Sequence, residues 1–181
     1  MLRENFNKIL LELKEELKKD NILAVPRPIR GIVNIGIGKL VTSNPENKDK
    51  IIEDALYVLS MVTGQKPKVV SARKSVAGFK LKKGTPVAVL VTLRGKKLLD
   101  FIERLLTYAL PRSKEFKGIT NKLVDNKGNL NLGFRDVNIF PEAFSDKIRY
   151  NFGIQITLIG SSKKKEENLR LWSKLGFPMK L

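Results

Sequence analysis

Apolar residues recur at intervals of three and four, with charged residues between them, in four stretches of the chain. This spacing places the apolar side chains on one face of a helix, so each stretch predicts an amphipathic helix. Asn44-Pro45 offers an N-cap for the second helix, and Gly64 ends it. Ser161-Ser162 offers caps for the fourth helix, and Pro111 ends the third. The stretches are residues 2–19, 45–63, 96–109 and 164–175.

Runs of alternating or continuous apolar residues predict the strands. The run 29–35 precedes Gly36-Ile-Gly38, which lacks the third glycine of a dinucleotide-binding turn and is therefore a weak phosphate-binding signal. In 86–93, valines alternate with Ala, Leu and Thr, so both faces are mostly apolar and an inner strand is predicted. Further strands are predicted at 68–71 and 154–159, and a small hairpin at 123–134 around Asn126-Lys127-Gly128.

The order of elements indicates the fold class. Helices and strands mix without regular βαβ spacing, and the chain shows no internal repeat and no linker. We therefore expect one α+β domain over residues 1–181, in which a mostly antiparallel sheet has helices packed on one face. The other face would be open, and a polar, basic sheet face can serve as a platform for RNA.

Composition narrows the classes of function. The chain holds 35 Lys and Arg against 18 Asp and Glu, a formal net charge of +17, and it has no His and no Cys. Their absence excludes Cys–His and Ser–His catalysis, thiolate zinc sites and disulfides. Close carboxylate pairs lie only in helical patterns with basic neighbours, so we expect no catalytic residue, no metal and no cofactor. No secretion signal or apolar run near 18 residues occurs, so no membrane partner is expected.

Most of the net charge lies in one segment, residues 55–99, which contains ten basic residues and no acid. A solvated surface usually mixes both signs, so this segment favours a polyanionic partner. It includes a long basic loop, 73–84, with Phe79 at its tip, which is either a local core anchor or a platform for stacking a base. The ten residues are Lys66, Lys68, Arg73, Lys74, Lys80, Lys82, Lys83, Arg94, Lys96 and Lys97.

Several strings, in order along the chain, resemble one protein family. They are Val33-Asn-Ile-Gly-Ile-Gly38, Gly64-Gln-Lys-Pro67, Ala72-Arg-Lys-Ser-Val-Ala-Gly-Phe-Lys80, Val91-Thr-Leu-Arg-Gly95, Pro111-Arg112, Phe116-Lys-Gly118 and Ile139-Phe-Pro-Glu142. Over nearly its whole length the chain resembles the large-subunit ribosomal protein five family of bacteria or organelles. Members of that family bind 5S rRNA in the central protuberance of the ribosome.

The resemblance implies a structural, non-enzymatic protein of the cytoplasmic or organellar ribosome, present as a monomer. It implies that the concave sheet face binds 5S rRNA beside 23S-type rRNA, and that the basic loop contacts peptidyl-site tRNA. It also implies an intersubunit bridge from the irregular region after the third helix to a small-subunit head protein. The implied 5S rRNA-binding residues are Asn34, Gln65, Thr92, Arg94 and Lys66. The implied tRNA-contacting residues are Arg73, Lys74, Ser75, Phe79, Lys80, Lys82 and Lys83.

The residues alone leave alternatives open. Asn34 is also typical of a turn, Thr92 of an ordinary strand, and Gln65 of a surface position after a helix cap. The alternative function is an RNA-binding regulatory module that acts off the ribosome. Two places depart from the family pattern: Lys117 stands where members usually have Arg, and Lys163–Lys165 adds three lysines after the last strand.

Overall fold

The computed structural model describes residues 2–113, 116, 118–144 and 148–180. Five strands and six α-helices lie within these residues, joined in part by short 3₁₀ turns. The strands are β1 (Pro28–Gly36), β2 (Lys68–Ser71), β3 (Pro86–Leu93), β4 (Leu130–Phe134) and β5 (Ile154–Gly160). The helices are α1 (Leu2–Glu16), α2 (Gly38–Ser43), α3 (Lys48–Thr63), α4 (Gly95–Arg104), α5 (Leu110–Arg112) and α6 (Lys165–Lys174).

The strands form one antiparallel sheet in the order β2-β3-β1-β5-β4. The pair β2 and β3 places Lys68 opposite Leu90 and Val70 opposite Ala88. With β4 set aside, the chain runs β1-α3-β2-β3-α4-β5, which is the split βαβ arrangement. The predicted α+β class is therefore confirmed, and β3 is an inner strand, as predicted.

Burial alternates along the strands. In β1, Val33 and Ile35 are fully buried whereas Asn34 between them is only half-buried. In β3 and β5 alternate residues are likewise buried. At Gly31, an added Cβ would lie 2.7 Å from Leu98 Cδ1, so α4 packs directly against β1 there. One face of the sheet is thus covered and the other is open, as the sequence predicts.

The chain divides into two compact units. The first unit comprises residues 1–31, 93–132 and 156–181. In it α1 packs against α4 and α6. Lys19 Nζ lies 2.9 Å from Glu167 Oε1, and Lys174 Nζ lies 3.2 Å from Glu12 Oε2. Hydrogen bonds from Ser162 and Lys19 lower the pKa of Glu167, so these polar contacts favour its ionised form.

The second unit comprises residues 32–92 and 133–155. Its principal helix, α3, buries Ile51, Ala55 and Leu59. Gly64 follows at φ 62°, the left-handed conformation that favours glycine, and its N–H donates to the Ser60 carbonyl. The predicted end of this helix is confirmed.

Two predicted helix boundaries are wrong. Asn44 makes no side-chain cap bond, because Pro45–Asn47 forms a 3₁₀ turn and α3 begins only at Lys48. The first helix ends at Glu16 rather than at residue 19, because Lys18 adopts the left-handed region at φ 50°. The weak phosphate-binding turn is also not formed, since Gly38 opens the short helix α2.

Two further elements differ from the prediction. The third predicted helix does not end at Pro111: a π-helical turn, Leu105–Ala109, leads into α5, which ends at Arg112. Proline is tolerated there because the first helical residues need no N–H partner within the helix. Residues 123–125 form a single bridge, Val124 with Leu130, instead of a strand.

Candidate nucleic-acid interface

The open sheet face of the second unit is almost free of charge. Its half-buried or exposed positions alternate with the buried ones on the same strands. Among these positions only Lys68, on the edge strand β2, is charged, because alternation puts apolar and neutral polar side chains at the others. The positions are Ile32, Asn34, Lys68, Val70, Ala88, Leu90, Thr92 and Gln155.

Asn34 carries an unpartnered polar atom on this face. Its Oδ1 is buried and has no hydrogen-bond partner among the described residues. Leaving a buried amide oxygen unpaired costs about 1–3 kcal/mol. Such groups are rare in folded proteins, and a ligand that supplies the missing bond is one explanation. An added Cβ at Gly36 would meet nothing within 4 Å, so the chain beside Asn34 is open to a close approach.

The structure brings Gln65 and Thr92 together. Gln65 Nε2 donates to the Thr92 carbonyl at 3.2 Å, which ties the turn after α3 to the end of β3. This bond orients the amide, so that Gln65 Oε1 remains as an acceptor. Within the described residues, neither that oxygen nor the Thr92 hydroxyl has a hydrogen-bond partner of its own.

The two remaining predicted 5S rRNA-binding residues are exposed cations at the ends of these elements. Lys66 follows Gln65 directly in the turn between α3 and β2. Arg94 follows β3 and immediately precedes α4. Both are free to meet phosphate groups, which a neutral sheet face cannot neutralise.

The basic loop 73–84 extends the β2–β3 hairpin. Val76 and Leu81 form a bridge within it, with N···O distances of 2.9 and 3.1 Å. The Lys83 N–H donates to Ser75 Oγ at 2.9 Å, so the Ser75 hydroxyl serves the loop itself. These bonds hold a compact hairpin tip.

Phe79 and five cations lie on the surface of this loop. The side chain of Phe79 is 77% exposed, so the interpretation as a local core anchor is wrong and a stacking platform remains. None of the cations has an ion-pair partner in the part of the chain that the structure describes. They are Arg73, Lys74, Lys80, Lys82 and Lys83.

Other sequence expectations fall at or beyond the edge of this interface. Lys117 and part of the implied bridge region, residues 145–147, lie outside the described residues. The predicted serine cap of the last helix is wrong, because its N-cap is Lys164 and no side chain caps it. Ser162 Oγ instead accepts from the Lys164 N–H at 3.1 Å in the turn before the helix, and it donates to Glu167. Lys163 and Lys164 are exposed there.

Two features of neutral side chains that the structure shows were not singled out from the sequence. Thr157 Oγ1 donates to Asn131 Oδ1 at 2.8 Å between β5 and β4 of the first unit. Tyr57, on α3 of the second unit, is 37% exposed. The polar residue among the isoleucines of β5 was the available signal for the first, whereas Tyr57 looks like any other residue of an amphipathic helix.

Two classes of site are not found in the described residues. No cluster of three or more acidic side chains is arranged to hold a metal ion. Among the described helices, none combines the length and apolar character needed to cross a membrane.

Comparison with known proteins shows the family. The model for ribosomal protein L5 matches residues 21–82, and the model for the C-terminus of the same ribosomal family matches residues 86–179. Proteins named large ribosomal subunit protein uL5 align over 180 residues, or 99% of this chain. Those of Syntrophomonas wolfei and Chloroflexus aurantiacus are 39% identical, with 98% and 97% of their lengths covered. That of Anaeromyxobacter sp. strain Fw109-5 is 41% identical, with 97% covered. This chain therefore belongs to the ribosomal protein L5 family.

Proposed function

We propose that this chain binds 5S rRNA within the large ribosomal subunit through the open sheet face of its second unit. The family consists of structural proteins of that subunit, and its bacterial members place the chain in the ribosome of the cytoplasm. The observation that carries the RNA contact is the unpartnered Asn34 Oδ1 on a neutral face flanked by exposed cations.

The arrangement separates two kinds of contact. Lys66 and Arg94 neutralise phosphates, which gives affinity without sequence information. Gln65 Oε1 can only accept a hydrogen bond, while one of the two N–H groups on Nε2 is used by the Thr92 carbonyl and the other can still donate. A phosphate oxygen carries no proton to offer, so the RNA group that matches Gln65 Oε1 is a 2′-hydroxyl or a base N–H. The Thr92 hydroxyl can donate or accept.

Asn34→Ala and Thr92→Ala are each expected to weaken 5S rRNA binding by about 1–3 kcal/mol, because the desolvated RNA group loses its bond. Filter binding of the purified variants measures the change. Asn126→Ala, at an exposed turn position of the first unit, is the matched control and should bind as the wild type does. Wild-type affinity in both interface variants would contradict this placement of the RNA.

We extend the proposal to the basic loop, which by similarity to the family contacts peptidyl-site tRNA. Its five exposed cations and 77% exposed Phe79 suit a phosphate backbone and a stacked base. By the same similarity, 23S-type rRNA and a small-subunit head protein are the further partners, and the bridge to the latter comes from the irregular region after the third predicted helix.

Replacing Lys80, Lys82 and Lys83 together by Gln is expected to leave 5S rRNA affinity nearly intact and to weaken tRNA placement on the ribosome. The charges removed lie on the hairpin tip and not on the sheet face. Binding of tRNA to reconstituted ribosomes measures the effect. Replacing three exposed lysines elsewhere, Lys8, Lys48 and Lys50, removes the same charge and is the control. Equal loss of both functions would mean that the loop is no separate contact.

A further inference from the structure

A groove of about 730 Å³ lies between α3 and the beginning of β2 in the second unit. Leu56, Pro67 and Val69 give it an apolar lining, and the half-exposed Tyr57 adds an aromatic ring. The groove is open to solvent, and its lining is mostly apolar with a few polar groups. None of these four residues has a part in the interface described above.

The groove adjoins the proposed 5S rRNA surface at Gln65. Gln65 lines it and also donates from Nε2 to the Thr92 carbonyl at the end of β3. Gly64, in its left-handed turn, also lines it, and an added Cβ there would meet nothing within 4 Å. Val69 lies opposite the buried Val89, so the groove opens on the helix side of the β2 edge. A strand of RNA on the open sheet face would therefore reach it by passing around the beginning of β2 at Gln65.

The charged residues at the groove indicate which kind of ligand it binds. Lys66 lines it, within the segment 55–99 that has no acid, whereas Lys68 lies opposite Leu90 on the open sheet face. Glu53 is the one carboxylate among the lining residues and lies one helical turn before Tyr57. An apolar peptide would need neither charge, whereas a nucleotide has a phosphate for a lysine, a flat ring for the tyrosine and base N–H groups for a carboxylate.

We propose that the groove binds one unpaired base of the RNA, stacked on Tyr57, with its phosphate at Lys66 and its amino group at Glu53. This rests on the proposed function, since the base belongs to the same RNA. The exocyclic amino groups of adenine, cytosine and guanine are donors that a carboxylate accepts, so the occupant that we propose is one of these three bases. The edge strand β2 is four residues long, and its free edge could instead pair with an extended peptide. The basic residues around β2 favour RNA over such a peptide.

Binding of 5S rRNA to the full chain tests this. Tyr57→Leu is expected to lower the affinity about 5- to 150-fold, which corresponds to the ~1–3 kcal/mol of stacking one base. Tyr57→Phe keeps the ring and should retain the affinity. Met61→Ala is the matched control, because Met61 lies one turn further along α3, is 46% exposed and does not line the groove. Thermal unfolding shows whether each variant is folded.

Chemical probing of the RNA identifies the base. With wild-type protein, dimethyl sulfate or kethoxal should leave one unpaired adenine, cytosine or guanine unmodified, and Tyr57→Leu at saturating concentration should expose it again. Equal affinities and equal modification patterns for Tyr57→Leu and Met61→Ala would overturn the groove assignment while leaving 5S rRNA binding intact. Unchanged RNA binding with loss of a protein partner would assign the groove to a peptide and overturn it too. Absence of 5S rRNA binding by the wild type would overturn both proposals.

Discussion

The affinity for 5S rRNA is expected to fall about 10³–10⁵-fold when the salt concentration rises from 50 to 200 mM, if ~6–10 phosphates are neutralised. Residues 55–99 supply ten basic residues and no acid that could pair with them locally. Outside the basic loop, Lys66, Lys68, Arg94 and Lys96 are exposed at the edge or ends of the strands that form the sheet face. Each phosphate they contact releases condensed counterions, and added salt opposes that release. Filter binding over this range of salt gives the slope.

Two variants separate the phosphate contacts from the other RNA contacts in this salt titration. The neutral groups Asn34 and Thr92 contribute hydrogen bonds that release no counterions, so Asn34→Ala should lower the affinity without changing the slope. Lys66→Gln should reduce the slope by about one unit, because one phosphate contact is lost. An affinity for 5S rRNA that does not change with salt would exclude the proposed electrostatic contact altogether.

Local sequence patterns were sufficient to predict many of the helices and strands. The bounds of β2 and β3 agree with the prediction because Pro67 and Pro86 delimit runs of β-branched residues whose geometry is set within the strand. The ends of α3 at Gly64 and of α6 before Gly176 also follow from the chain itself, since both glycines adopt positive φ. Such signals depend only on neighbours in sequence.

The arrangement of the strands and helices relative to each other could not be predicted from local sequence patterns. The split βαβ order is obscured because α2 and a 3₁₀ turn precede α3, and because residues 105–153 separate α4 from β5. For the same reason the sequence suggested two apolar faces for β3, while the structure covers one of them and leaves Ala88, Leu90 and Thr92 half-buried. Which face is covered is decided by helices distant in sequence.

In the candidate site, too, the residues could be named from the sequence, whereas the contacts between them could not. The resemblance to the family named Asn34, Gln65 and Thr92, but the bond from Gln65 to Thr92 joins residues 27 positions apart. Periodicity cannot show that bond, or that Asn34 Oδ1 lacks a partner. The charge total of residues 55–99 likewise does not show where its cations lie: strand alternation distributes them to the edge strand, the turn and the loop.

Gly160→Ala is expected to destabilise the fold by about 2–4 kcal/mol, combining overpacking with the loss of buried hydrogen bonds. An added methyl group would lie 2.6 Å from Asn168 Cγ and overlap with its Oδ1. Asn168 is fully buried in the first unit and cannot yield freely: Nδ2 donates to the Lys127 and Ser162 carbonyls, each at 2.8 Å. Urea unfolding followed by circular dichroism measures the change.

The cause can be separated from a general effect of alanine in a strand. Gly133→Ala on β4 is the matched control, because Gly133 is exposed, has no positive φ, and an added Cβ there would meet nothing within 4 Å. That change should be neutral or slightly stabilising, since it restricts the unfolded chain.

Asn168→Ala alone leaves two carbonyls unsatisfied and is also destabilising, but it removes the atoms that the new methyl group would meet. The double variant Gly160→Ala/Asn168→Ala should therefore be less destabilised than the sum of the two single changes. A Gly160→Ala protein as stable as the Gly133→Ala control would show that the Asn168 side chain moves aside at no cost, and that its bonds do not hold α6 against β5.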